Sequence, residues 1–286
     1  MILRQSLKQH ELYYIHIRLE SKGLPNGSHP CSSRVQEHLN NLRNFEATST
    51  SESVAKGLSL LEDLYFSLDN LLNVGSTQKA ISDHQSEKCF QDILDGSIKA
   101  LDVCGITRDT VMQIKENVQS LHSSLRRRKG DSCIEKSIAE YNSSSKKMRK
   151  NVNKLITSLK HLQSKVGLLN QNQDLSILSE VIAMNMSVFQ SLLSFLAGPS
   201  KSKTTKWMNK LMHKGEVSSE SANELQLVDA ALNTILNEGA KGSQIQACNE
   251  QLEALEIAIE SIESGLENLF RHMIKTRTTL LNILSQ

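Results

Sequence analysis

Between Ile245 and Ile283 the apolar residues recur at alternating steps of three and four: Ile245, Cys248, Leu252, Leu255, Ile259, Ile262, Leu266, Leu269, Met273, Thr276, Leu280 and Ile283. Only Thr276 departs from the apolar type. A 3.5-residue repeat is the pattern of a helix whose a and d positions pack along other helices. At ~1.5 Å per residue this rod would be about 55–60 Å long. A helix of that length has to lie against something comparably long, so the seam restricts the chain to architectures built from long helices.

The rest of the chain agrees with this restriction. The three prolines are Pro25, Pro30 and Pro199, and aromatic residues make up only 4% of the 286 residues. Long proline-free stretches dominated by Leu and Ile favour helices over sheets. The formal net charge of +2 argues against a nucleic-acid binder that works by bulk electrostatics. Five scattered cysteines (Cys31, Cys89, Cys104, Cys133, Cys248) form no Cys-x-x-Cys pair, which argues against a disulfide framework or zinc site and for a reducing compartment. The opening residues lack the apolar core of a secretory signal, so a cytoplasmic location is expected, with membrane association as the alternative.

Residues 1–29 close in the breaker cluster Gly23–Pro30 and read as a disordered or weakly helical arm ahead of a single helical domain over 30–286. A first helix carries Val35, Leu39 and Leu42 on one face. Ser49 with Glu52 offers a capping box for a second, through Val54, Leu58, Leu61, Tyr65, Leu68 and Leu72. Asn73–Ser76 ends it, and Thr77 is placed to cap a third. Phe90, Leu94, Leu101 and Cys104, then Val111, Ile114, Val118, Leu121 and Leu125, mark a further helical stretch containing Gly96 and Gly105, which suit kinks or close crossings. Arg126–Lys129 closes that helix, its cations offsetting the negative end of the helix dipole; a nuclear-import tetrapeptide is the less favoured reading. Ser132 and Glu135 suit the start of the next helix.

That helix carries a second long seam: Ile134, Ile138, Tyr141, Ser145, Met148, Val152, Leu155, Leu159, Leu162, Val166 and Leu169. Its cations Lys146, Lys147, Arg149, Lys150, Lys154, Lys160 and Lys165 form a wholly basic run, and, laid antiparallel with 169 beside 245, this run faces the acidic run Glu250, Glu253, Glu256, Glu260, Glu263 and Glu267 of the C-terminal rod. Antiparallel pairing of 134–169 with 245–283 is therefore expected. The expected fold class is all-α: an elongated antiparallel bundle of long heptad-patterned helices. The amphipathic stretch 218–238, through Leu225, Val228, Leu232 and Ile235, completes it.

Two segments invite a functional reading. Val181–Pro199 has no charged residue and approaches the length of a membrane span, but Glu180 adjoins it, and Asn185, Ser187, Gln190, Ser191 and Ser194 interrupt it. A helix buried in the bundle accounts for it better. Residues 200–215 come next, with Lys201, Lys203, Lys206, Trp207, Lys210, Leu211 and Lys214 and no acid until Glu216. A basic amphipathic stretch of this kind can contact an anionic membrane surface or a partner's groove. The plainer reading is a linker helix whose Trp207 packs back on the bundle. Lys203, Lys206, Trp207, Lys210, Leu211 and Lys214 are the candidate contact residues. No glycine-rich phosphate loop, His-Glu-x-x-His or paired His/Cys spacing occurs, so no catalytic, cofactor or metal residues are assigned and no enzyme is expected. No small-molecule substrate and no nucleic acid are implied.

Several separated motifs do carry a resemblance. Leu94-Asp95-Gly96-Ser97, then Leu101-Asp102-Val103-Cys104-Gly105-Ile106-Thr107-Arg108-Asp109, closing in Leu125-Arg126-Arg127-Arg128-Lys129-Gly130, are joined by Ser28-His29-Pro30, Trp207 with Lys210-Leu211-Met212, and Leu269-Phe270-Arg271 leading to Leu280–Ser285. In this order, over about residues 29–286, the chain resembles the BYPASS-type family of land-plant helical proteins. The resemblance implies an all-helical protein associated with root and shoot development, with no assigned activity, cofactor or active-site residues; the leading expectation is a non-enzymatic interaction protein acting through protein partners.

Overall fold

The computed structural model describes residues 30–48, 50–83, 88–127, 131–166, 173–198, 223–240 and 242–285. It is 93% helical, with eight helices and no strand among the described residues. They are α1 (Pro30–Arg43), α2 (Ser51–Leu72), α3 (Gly75–Asp83), α4 (Lys88–Arg126), α5 (Asp131–Val166), α6 (Gln173–Ala197), α7 (Glu224–Glu238) and α8 (Gly242–Leu284). The expected N-terminal arm lies outside the described residues.

The C-terminal rod forms as its repeat requires. α8 runs 43 residues, and its buried positions are the twelve of the heptad seam, Thr276 included. Each fully buried Leu or Ile contributes roughly 1.5–3 kcal/mol relative to exposure, so this seam supplies much of the bundle's cohesion. α8 lies mainly against α2 and α4, and α7 folds back on its first half. α2 runs parallel to α8: Asp69 meets Thr276, and Leu58 lies against Gly265. α4 runs antiparallel to it, with His122 at Glu256, Arg108 at Glu267 and Ser97 at Arg277. α6 fills the remaining side, antiparallel to α2, with Asn185 at Tyr65 and Val188 at Gly57.

Glycines let these helices approach. A Cβ at Gly265 would stand 3.1 Å from Leu58 Cδ1, and one at Gly96 3.1 Å from Ile182 Cδ1. Gly96 thus marks a close crossing of α4 and α6, as its place inside a helical pattern suggested. Gly105 does not; nothing lies within 4 Å of the position a Cβ would take.

The expected pairing of 134–169 with 245–283 does not form. α5 packs on α6 and α4, and it nears α8 at Tyr141 and Cys248 rather than with residue 169 beside residue 245. The reason lies in where its charges sit. Lys146, Lys147, Lys150, Lys154 and Lys160 are exposed on the side opposite the buried seam Tyr141, Ser145, Met148, Val152 and Leu159. A charge on that side cannot reach a helix packed on the seam. Among the described side chains of this basic run, only Arg149, beside the seam, is engaged, by Asp229 of α7. Leu155 is half-buried; Leu162 and Val166 lie outside the described side chains, and Leu169 outside the described residues.

Some helix ends also move. The N-cap of α2 is Thr50, whose hydroxyl accepts from Ser53 N at 3.3 Å, so the cap falls one residue beyond Ser49. α3 already begins at Gly75, which places Thr77 inside it rather than at its cap. At the end of α4 Arg127 Nε donates to Ser123 O at 3.0 Å, the expected use of a cation in a last turn.

Candidate functional site

The basic segment that carries the candidate contacts is flanked in sequence by Gly198 and Asn223, and the two flanks are tied together. Gly198 takes φ +68, a left-handed backbone that a residue with a side chain would strain to adopt, and Pro199 comes directly after it. Asn223 is the N-cap of α7: its Oδ1 accepts from Gln226 N at 3.0 Å, while its Nδ2 donates to Phe195 O at 3.2 Å. One side chain therefore starts α7 and satisfies an end carbonyl of α6. Two further ties hold α7 in place: Ser51 Oγ donates to Glu224 Oε1, and the Arg149 guanidinium to Asp229. Lys203, Lys206, Trp207, Lys210, Leu211 and Lys214 themselves lie outside the described residues.

The family-like motifs converge on the α4–α8 seam. Arg277 Nη1 donates to Leu94 O at 2.8 Å and to Ser97 Oγ, joining the Leu94–Ser97 motif to the C-terminal one. Arg108 donates to Glu267 Oε2 at 2.9 Å and stacks over the Phe270 ring with 4.9 Å to its centroid. Lys115 Nζ lies 2.7 Å from Glu263 and 3.7 Å from Glu260, and His122 Nδ1 lies 2.9 Å from Glu256. The hydrogen bond to Glu263, reinforced by the charges of Glu263 and Glu260, raises the Lys115 ammonium above its ordinary range. The signal was present in the chain: positions 108, 115 and 122 are seven apart, flanking the α4 seam. These pairs are half-exposed, so a double-mutant cycle with Lys115→Ala and Glu263→Ala is expected to yield a coupling of only about 0.2–1 kcal/mol that shrinks in salt. A coupling above ~2 kcal/mol in urea unfolding would contradict this reading.

A second polar group is buried between α2 and α8. Asp69 accepts from Thr276 Oγ1 at 2.8 Å, with Lys275 Nζ 3.1 Å and His272 Nδ1 3.6 Å from its other oxygen. Burial alone would raise this carboxyl, but its interactions with His272, Thr276 and Lys275 outweigh it and hold the group below the usual carboxylate range. Nearby, Tyr65, Ser97, Ile182, Met273 and Arg277 line part of a cavity of about 30 Å³, room for one or two waters. Burial also pushes the thiols of Cys104 up to about 12 and of Cys248 to about 11, so neither is a thiolate at neutral pH. Among the described residues no three His, Cys, Asp or Glu side chains gather to hold a metal ion. These groups tie helices together; sequence reading missed Asp69, whose only hint was a lone carboxylate beside Leu68, Leu71 and Leu72.

Fold and site together define an all-helical bundle whose buried polar contacts join helices. The sequence model of a family described as Protein BPS1 matches residues 57–283, and the chain belongs to that family, in agreement with the BYPASS-type resemblance. Membership points to a plant developmental regulator. No curated protein and no solved structure matches the chain.

Proposed function

We propose that the protein is a non-enzymatic helical scaffold that regulates root and shoot development by binding protein partners, and that residues 200–215 are its contact element. The observation that supports this is the clasp at the segment's base. Asn223 bonds to the carbonyl of Phe195, so the described residues on either side of 199–222 are held together. The stretch between those two joined flanks is basic and bears Trp207, a composition suited to partner contact. Proximity labelling in plant tissue tests it. The triple variant Lys206→Ala, Trp207→Ala, Lys210→Ala is expected to lose most of the partners labelled by the wild type while unfolding at the same temperature. An unchanged set of labelled proteins would sink the assignment to this segment.

The alternative is a peripheral adaptor at an anionic membrane, in trafficking, through the same segment. Its support is compositional: five lysines and Trp207 between residues 200 and 215, without an acid. Flotation with anionic vesicles separates the two, since this second reading requires the wild type to float and the triple variant to lose binding relative to it.

A further inference from the structure

The assembly of the bundle leaves α5 with an unusual outer side. From Tyr141 to Val166 the chain contains no Asp or Glu. Lys146, Lys147, Lys150, Lys154 and Lys160 are all exposed, and at 3.6 residues per turn they fall on one side of the helix, opposite its buried seam. Asn153 and Thr157, also exposed, lie within the same stripe. Among the described residues, no carboxylate lies within ion-pair distance of these five lysines; Glu256, Glu260, Glu263 and Glu267 of α8 engage α4 instead. Unneutralised like charge along one helix face is mildly unfavourable in the free protein, so a role for it outside the bundle accounts for it better than stability does.

We propose that the outward side of α5, from Lys146 to Lys160, is an electrostatic docking face for an anionic membrane surface. Four features favour this partner. The stripe extends about 21 Å along the exposed side of the helix, and its lysines line none of the described pockets. The cations are ammonium groups, which suit diffuse headgroup phosphates, whereas the one guanidinium of the stretch is occupied by Asp229. No aromatic residue is exposed on the stripe to stack on the bases of a single-stranded nucleic acid. No large apolar side chain is exposed there either, so a protein partner would find no anchor residue. Clusters of four to eight lysines on a helix are the usual electrostatic match for acidic lipids. The placement adds continuity, because Gly198, where the chain departs toward residues 199–222, stands against Arg149, with 3.6 Å from its Cβ position to Nε.

Flotation of the purified full chain tests this, with vesicles of phosphatidylcholine alone or mixed with phosphatidylserine or a phosphoinositide. The wild type is expected to float with the acidic vesicles only, and less as salt rises. Changing Lys146, Lys150, Lys154 and Lys160 together to Gln should lower the bound fraction's partition constant roughly tenfold or more, with unfolding temperature unchanged. A control removing four exposed charges elsewhere (Lys56→Gln, Lys79→Gln, Lys99→Gln, Arg126→Gln) should keep most of the binding, which separates a located stripe from net charge. The proposal is overturned if the wild type fails to float, if it floats equally on neutral vesicles, or if the control loses as much binding as the α5 variant. It is also overturned if a single-stranded RNA binds more tightly than the vesicles through the same four lysines. It stands on α5 alone, so loss of function in the Lys206, Trp207, Lys210 variant neither supports nor removes it.

Discussion

Replacing Asp69 with alanine is expected to cost about 2–4 kcal/mol of stability, the largest effect of any single polar change in the bundle. The carboxylate is 5% exposed and fastens two parallel helices of the core. Removing it leaves the Thr276 hydroxyl buried without its acceptor, while Lys275, largely exposed, can turn to water. That asymmetry keeps the expected cost below the upper range for breaking a fully buried pair. The acid limb should change too. Because the folded carboxyl titrates below its unfolded range, its stabilisation is complete above that range and is lost as pH falls through the lower, folded value. Urea unfolding from pH 7 down to pH 3 should therefore show a slope in the wild type that is shallower in Asp69→Asn. Equal stability of Asp69→Ala and wild type at pH 7, or superimposable pH profiles for wild type and Asp69→Asn, would refute the latch.

What the chain disclosed in advance was local. All twelve positions of the α8 seam are buried because a heptad repeat states which side of a helix is apolar whatever lies against it. The choice of partner is not local. A basic run on α5 and an acidic run on α8 suggested a pair, but pairing depends on the position of each charge around its helix. Arg108, Lys115 and His122 flank a seam and meet their carboxylates; Lys146, Lys150 and Lys154 stand opposite one and do not. Asp69 was hidden for a related reason, since Thr276, the single break in the α8 seam, is 207 positions away in sequence. A polar residue inside an apolar seam announces that a polar partner exists, and only the fold says where. The candidate contacts 203–214 were picked on composition, and geometry reaches only their two anchoring ends, Gly198 and Asn223.

Truncating Phe189 to alanine is expected to destabilise the protein by about 3–5 kcal/mol, and the measurement also decides what kind of helix α6 is. Ser176–Ala197 is long and apolar enough to cross a membrane by composition, yet more than half of that window is buried within the protein. A helix that is apolar all round is either a membrane span or the centre of a bundle. α6 has α1, α2, α4 and α5 packed around it, and Phe189, Leu192, Leu193 and Phe195 are completely buried. Its Asn185 adds a specific reason: Nδ2 donates to Tyr65 Oη at 2.9 Å and to Val181 O at 2.7 Å, a buried polar link to α2. In a central helix, Phe189→Ala removes a side chain from a close-packed site and leaves a cavity, so the cost includes both transfer and lost packing. In a membrane span the same ring would exchange lipid contacts for lipid contacts, at little cost. Ser187, an exposed position on this helix, supplies the control: Ser187→Ala should stay within about 0.5 kcal/mol of wild type. Cooperative urea unfolding in detergent-free buffer, with Phe189→Ala shifted by the full amount and Ser187→Ala unmoved, places α6 at the centre of the bundle. Near-equal effects of the two substitutions, or a chain that stays folded only in detergent, would make it a membrane helix.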